Sequence, residues 1–142
     1  MCLIAWRWLP DAPTPLIWAA NRDEFAHRAT GAMRHWRFTH TSTHQTTTHD
    51  ILSGIDMALE AANSLYGTWA GVNGAGKFAW LTNIRNPLSA NPQAPSRGRL
   101  VSQYLASDVS PSNYLVTVQR QAHRYNGFNL VLGQLNTDTQ QA

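Results

Sequence analysis

The order of apolar segments along this 142-residue chain predicts an α+β fold built on an antiparallel sheet. Three observations carry the prediction. Two short apolar runs are divided by prolines near the N-terminus, an Asn-Gly dipeptide separates two strand-like runs in the middle, and two helix-like segments stand together before one last strand.

In chain order, Cys2 to Trp8 is apolar apart from Arg7 and rich in large side chains, as a buried strand requires. Pro10, Pro13 and Pro15 break it, and Leu16-Ile17-Trp18-Ala19-Ala20 follows as a second run, so the two are expected to pair antiparallel. The second run stops abruptly at Asn21-Arg22-Asp23-Glu24, a polar cluster that by itself reads equally as a solvated turn or as a site. Residues 28–50 lack an apolar period, and the stretch from Thr39 to Asp50 is low in complexity; residues 36–50 are expected to form a flexible His/Thr-rich loop. The spacing of His35, His40, His44 and His49 raises the question of zinc, but a zinc site wants a rigid frame and a second shell. These histidines are therefore read as surface residues, and no metal and no other cofactor is expected.

Order is expected to return at Ile51-Leu52-Ser53-Gly54 and again from Gly67 to Val72. Asn73-Gly74 then marks a hairpin, because both residues tolerate positive φ, and Lys77 to Asn83 is the return strand. Gly71-x-x-x-x-Gly76-Lys77 imitates a phosphate loop, but Phe78 occupies the place of the magnesium-binding hydroxyl and a strand follows where a helix should start. Beyond a loop from Ile84 to Pro95, Ser96 is expected to cap a helix reaching about Ala106. Ser110-Pro111 opens a second helix carrying Tyr114, Leu115, Val118 and Ala122 at helical spacing. Gly127 to Gly133 reads as the last strand, before a polar tail from Asn136 to Ala142.

Composition narrows the function classes. The length suits one domain, 1–142, with a core of its own. With 11 Lys+Arg against 8 Asp+Glu the net charge is only +3, and no basic run interleaves with aromatics, which argues against a nucleic-acid partner. A single cysteine excludes an internal disulfide and a cysteine-based zinc site within one chain. No segment reaches the roughly 18 uninterrupted apolar residues of a transmembrane span, and the N-terminus lacks a signal-peptide pattern, so a cytoplasmic protein is expected.

That cysteine is Cys2, one cleavage from being the first residue. A thiol beside a free α-amine forms a self-sufficient nucleophile, because the amine both lowers the thiol pKa and can take its proton. Its unperturbed pKa of roughly 7.7–8.0 suits a base near neutrality. A buried small hydrophobe explains the same residue.

Met1-Cys2-Leu3-Ile4, Ala19 through Phe25, Gly67-Thr68-Trp69-x-Gly71, Leu81-Thr82-Asn83, Ser96-Arg97-Gly98-x-Leu100-Val101 and Tyr125 through Leu130 occur in that order. Together they closely resemble the NRDE family, the family of transport and Golgi organization protein 2, named for its Asn-Arg-Asp-Glu tetrapeptide. That family is similar to the cysteine branch of the N-terminal nucleophile (Ntn) hydrolases, which cleave linear amides on an αββα sandwich. The resemblance implies Cys2 as nucleophile, Arg22 with Asp23 or Glu24 beside it, and Asn83 as oxyanion donor. Arginine there would hold the thiolate and the substrate, while the carboxylate would orient the α-amine. Asn21, Glu24 and Trp69 are the candidate substrate-binding residues.

Members of the family continue past the strand ending near Leu135, so the chain is expected to carry the N-terminal half of the sandwich, truncated at its C-terminus and completed, in one arrangement, by a homodimer. Two functions stay open: amidase-like hydrolysis of a small-molecule amide after removal of Met1, and a non-enzymatic binding or trafficking role toward an apolar ligand, haem or lipid. The six tryptophans are expected mostly in the core, or else along an apolar groove of a half-open sandwich.

Overall fold

The computed structural model describes residues 3–41, 45–57, 65–84 and 90–135. Strands β1 (Ile4–Trp8) and β2 (Leu16–Ala20) form an antiparallel ribbon with Trp6 opposite Trp18. Strands β3 (Thr30–Thr41), β4 (Thr46–Asp56), β5 (Ala70–Asn73), β6 (Lys77–Asn83) and β7 (Phe128–Gln134) form a second, five-stranded sheet in sequence order, every neighbour antiparallel. Helices α1 (Gly98–Leu105) and α2 (Pro111–Gln121) stand between β6 and β7, followed by a 3-10 turn, Ala122–Arg124. The chain is thus α+β with antiparallel sheets. Among the described residues no helix is long and apolar enough to cross a membrane.

The two-residue period of a strand decides which layer each side chain joins. Along β6, Ala79 and Leu81 point toward the helices and pack with Leu100, Val101, Tyr104 and Leu105 of α1. Phe78 and Trp80 point the other way and pack with Ile4, Leu16 and Trp18 of the ribbon. Helices therefore cover one face of the five-stranded sheet and the ribbon covers part of the other. The ribbon seats itself through aromatic contacts: Trp6 and Trp18 lie 5.5 and 5.7 Å from Trp80, centroid to centroid, and Trp8 lies 6.0 Å from Phe78. Gly133 makes room for that stack, since a β-carbon there would meet the Phe78 ring at 2.1 Å.

The far end of α1 is tied to the β5–β6 turn. Asn73 donates from Nδ2 to the Leu105 carbonyl at 2.7 Å, and its Oδ1 accepts the Ala75 and Lys77 N–H groups. Lys77, the chain's one lysine, is buried; its ammonium donates to the Ser107 carbonyl and, at 2.6 Å, to the Val109 carbonyl. Burial pulls its pKa below the ordinary lysine value, against the opposing pull of Asp108. Backbone carbonyls left over after the last helical turn need such donors.

Several expectations from sequence require correction. Of residues 36–50, expected as a flexible loop, residues 36–41 complete β3 and residues 46–50 begin β4; residues 42–44, His44 among them, lie outside the described residues. Threonine's β-branch favours strands, and Thr39 meets Thr48 at 3.1 Å and Thr41 meets Thr46 at 3.3 Å across the pair. Trp36 and Phe38 supply the apolar face that the threonines conceal, and His49 is buried rather than at the surface. At the predicted Asn-Gly hairpin the glycine with positive φ is Gly76 (φ 77°), because Asn73 spends its side chain closing the turn from within. Helix α1 has Arg97, not Ser96, at its N-cap, although Ser96 Oγ accepts the Gly98 N–H at 3.4 Å. Ser110 caps α2 as expected, accepting from Asn113 N–H. Of the tryptophans, Trp36 and Trp80 are core, whereas Trp6 and Trp8, on the ribbon, are 55% and 44% exposed.

Candidate functional site

The polar quartet follows β2 without a gap, and each member does something different. Asn21 closes the ribbon: its N–H donates to the Leu3 carbonyl at 3.1 Å, and its Oδ1 accepts the Leu3 N–H at 2.7 Å. The residue that follows Cys2 is thereby fixed beside the quartet. Cys2 itself lies outside the described residues.

Arg22 lies over the Trp69 indole, its Cζ 4.9 Å from the ring centroid. Trp69 is positioned by its neighbours: its carbonyl accepts the Leu81 N–H at 2.8 Å, and its ring rests against Gly54. One guanidinium nitrogen of Arg22 is 3.9 Å from Asp56 Oδ2, and the side chain is only 16% exposed.

Asp56 ends β4 and is buried, with its backbone N–H donating to Gly67 at 2.8 Å. A buried carboxylate must be paired, and Arg28 supplies the pair, donating Nη2 at 2.7 Å and Nε at 3.2 Å to the same oxygen. That hydrogen bond, together with the charges of Asp56 and Glu24, raises the Arg28 pKa against the cost of burial. Arg97 approaches from the start of α1 and donates to the Gly127 carbonyl at 2.8 Å; burial lowers its pKa, Glu24 opposes that and Arg28 adds to it. Glu24 itself accepts the Phe25 N–H at 3.0 Å.

These groups enclose a cavity of about 100 Å³ lined by Arg22, Asp23, Glu24, Trp69 and Asn83, and also by Arg28, Asp56, Thr68, Leu81, Ser96, Arg97 and Gly98. Asn83 arrives as the last residue of β6, opposite Phe128 of β7. Five of the seven residues singled out from sequence therefore meet at one cavity. Asn21 does not line it, because its amide is turned to the backbone of Leu3. Among the described residues, neither the Arg22 guanidinium nor the Asn83 amide makes a hydrogen bond, so both keep donors for whatever occupies the cavity.

A second, larger cavity of about 540 Å³ adjoins the first and shares Arg22, Glu24, Arg28 and Trp69 with it. Its remaining wall is mostly apolar, with Trp18, Phe25, Ala32, Met33 and Ala70. Among the described residues no three His, Cys, Asp or Glu side chains gather as a metal site would need.

Sequence reasoning missed Asp56, Arg28 and Arg97 as parts of the site. Asp56 carried a usable signal, since a lone acid ending the apolar run from Ile51 to Ile55 must find a cation if it is buried. Arg28 had no such signal, because its partner is 28 residues away.

The class so defined is an α+β protein whose antiparallel ribbon leads, past the end of β2, into a charged cavity where an arginine and an asparagine make no hydrogen bond among the described residues. The family model for Transport and Golgi organisation 2 matches residues 1–142, and the chain belongs to that family. It is similar to the Transport and Golgi organization protein 2 homolog of Bos taurus, 39% identical over 142 residues, covering 97% of this chain and 47% of the relative. The corresponding homologs of Mus musculus and Homo sapiens are each 38% identical over 141 residues, covering 96% of this chain and 46% of the relative. The chain spans about half the length of the curated relatives it matches.

Proposed function

We propose that this chain carries the nucleophile half of an Ntn-type cysteine amidohydrolase, acting on a linear C–N amide bond once Met1 is removed. The observation that supports it best is the convergence of Arg22, Asp23 and Asn83 on one cavity, at the end of the ribbon where Asn21 holds Leu3. In this reading the Cys2 thiolate attacks the amide carbonyl, the C–N bond breaks as the amine leaves with a proton, and water releases the acyl group. Asn83, whose amide makes no hydrogen bond among the described residues, donates to the oxyanion; Arg22 holds thiolate and substrate; Asp23 or Glu24 orients the α-amine. The layering of helices, sheet and ribbon suits the first half of an αββα sandwich.

The test is intact-mass and labelling work on Met1-free protein. Cys2 is expected to alkylate faster than a free thiol, and Cys2→Ala to abolish turnover in a panel of linear amides. No enhancement, with no amide turned over, ends the reading.

The 540 Å³ apolar cavity favours a second reading, a binding protein for an apolar ligand such as haem or a lipid. Saturable haem titration by absorbance, or lipid retention in native mass spectrometry, would support it. Absence of both would exclude it.

A further inference from the structure

We propose that Arg22 is the carboxylate-receiving residue of the small cavity, so that the amide this protein acts on carries a carboxylate close to the bond presented to Asn83. The inference rests on the hydrolase reading above and adds a substrate class to it.

The argument is one of commitment among charges. Three guanidinium groups, Arg22, Arg28 and Arg97, line the cavity together with three carboxylates, Asp23, Glu24 and Asp56. Their formal charges cancel, so the sum alone predicts no preference. The hydrogen bonds distribute the groups unequally. Asp56 gives one oxygen to both donors of Arg28, at 2.7 and 3.2 Å, and stands only within ion-pair range of Arg22, at 3.9 Å. Glu24 turns an oxygen to the Phe25 N–H, and Asp23 has an interaction of its own. Arg97 has an Nη1 donor on the Gly127 carbonyl.

Arg22 differs from the other two. The Trp69 ring lies beneath its Cζ at 4.9 Å, Asp56 holds the charge from one side at 3.9 Å, and no acceptor among the described residues takes its N–H groups. A guanidinium placed between an indole and a carboxylate, its N–H donors not taken up, can receive a carboxylate in two parallel hydrogen bonds. An uncharged carbonyl would use one of those donors and leave the rest of the fork facing a confined space.

Two alkylating reagents of nearly equal size separate this inference from the reading beneath it: iodoacetamide, neutral, and iodoacetate, which carries a carboxylate. Each forms a C–S bond at the single cysteine with loss of iodide, so the product mass gives the rate at Cys2 directly. On Met1-free protein the iodoacetate-to-iodoacetamide rate ratio at Cys2 should exceed that of the urea-unfolded chain by about tenfold or more, the gain from a charge-assisted hydrogen bond. Arg22→Gln should bring it back to the unfolded value, while Arg120→Gln on the exposed face of α2 leaves it unchanged. A folded ratio at or below the unfolded one overturns the carboxylate assignment; if iodoacetamide still reacts fast, the hydrolase reading survives it. A second measurement needs no reactive thiol. In Cys2→Ala protein, acetate should saturably shift the Arg22 Nε–H resonance and acetamide should not; equal or absent responses overturn the proposal.

Discussion

Gly54 is the surface on which Trp69 rests: a β-carbon at position 54 would stand 2.7 Å from Cη2 of the indole. Gly54→Ala must therefore push the ring away, and Arg22 loses the face it lies on. The expected result is destabilisation of about 1–3 kcal/mol together with loss of selective Cys2 labelling. Gly133→Ala, which crowds Phe78 instead, should cost at least as much stability in urea denaturation yet leave labelling intact in the folded fraction. Equal effects of the two variants on labelling would show that general loosening, not the seat of Arg22, is responsible.

Asp56→Asn tests the shared carboxylate. Removing its charge takes away the carboxylate that Arg28 and Arg22 share, and breaking such a pair from one side is the expensive direction. Because Arg28 is 34% exposed, solvent screens part of the loss, and about 1–3 kcal/mol is expected. Arg28→Gln should cost less, since Arg22 remains near the carboxylate. Urea midpoints of the two variants decide the order.

Asn83→Ala separates the oxyanion role from the thiol. Turnover of any amide the protein cleaves should fall by about 10²–10³, while the rate of Cys2 alkylation by iodoacetamide stays within a factor of two or so of the parent. A parallel fall in alkylation would place Asn83 in thiol activation instead.

Alkaline pH should reveal the tyrosine beneath the sheet. Burial pushes the Tyr104 hydroxyl, which donates to the Gly133 carbonyl, up to about 12 from an ordinary value of 10.0, and Tyr114 is raised as well. A folded pKa above the unfolded one means that the native state holds its proton longer. The contribution of Tyr104 is complete below pH 10 and disappears as pH rises toward 12, amounting to roughly 2 kcal/mol over that window. Lys77 works in the opposite sense: its lowered pKa makes stability rise with pH up to the unfolded value of 10.5. Urea titrations between pH 9 and 11.5 should show a decline that Tyr104→Phe flattens and Lys77→Met steepens.

Much of this architecture could be read from the chain, and the failures share a cause. The ribbon was visible because Pro10, Pro13 and Pro15 divide two apolar runs, and it forms with Trp6 opposite Trp18. The return strand from Lys77 to Asn83 was visible because an apolar run follows a turn dipeptide. The β3–β4 pair was not, because its threonines and histidines hide a period of two in which Trp36, Phe38, Ile51 and Ile55 take the buried positions. For the site, the family resemblance pointed to Arg22, Trp69 and Asn83, which line one cavity, while Asp56 and Arg28 find each other only in the folded chain. Composition reports polarity along the chain, not which face of a sheet a residue will join.

The burial of Lys77 has a practical outcome. Its ε-amine is the only one in this chain, and it is engaged with two carbonyls beneath helix α1. Amine-directed reagents applied to the folded protein therefore meet no competing surface lysine, and their product reports on the α-amine alone. A single acylation step followed by mass measurement becomes a clean reading of whether the chain begins with methionine or with cysteine.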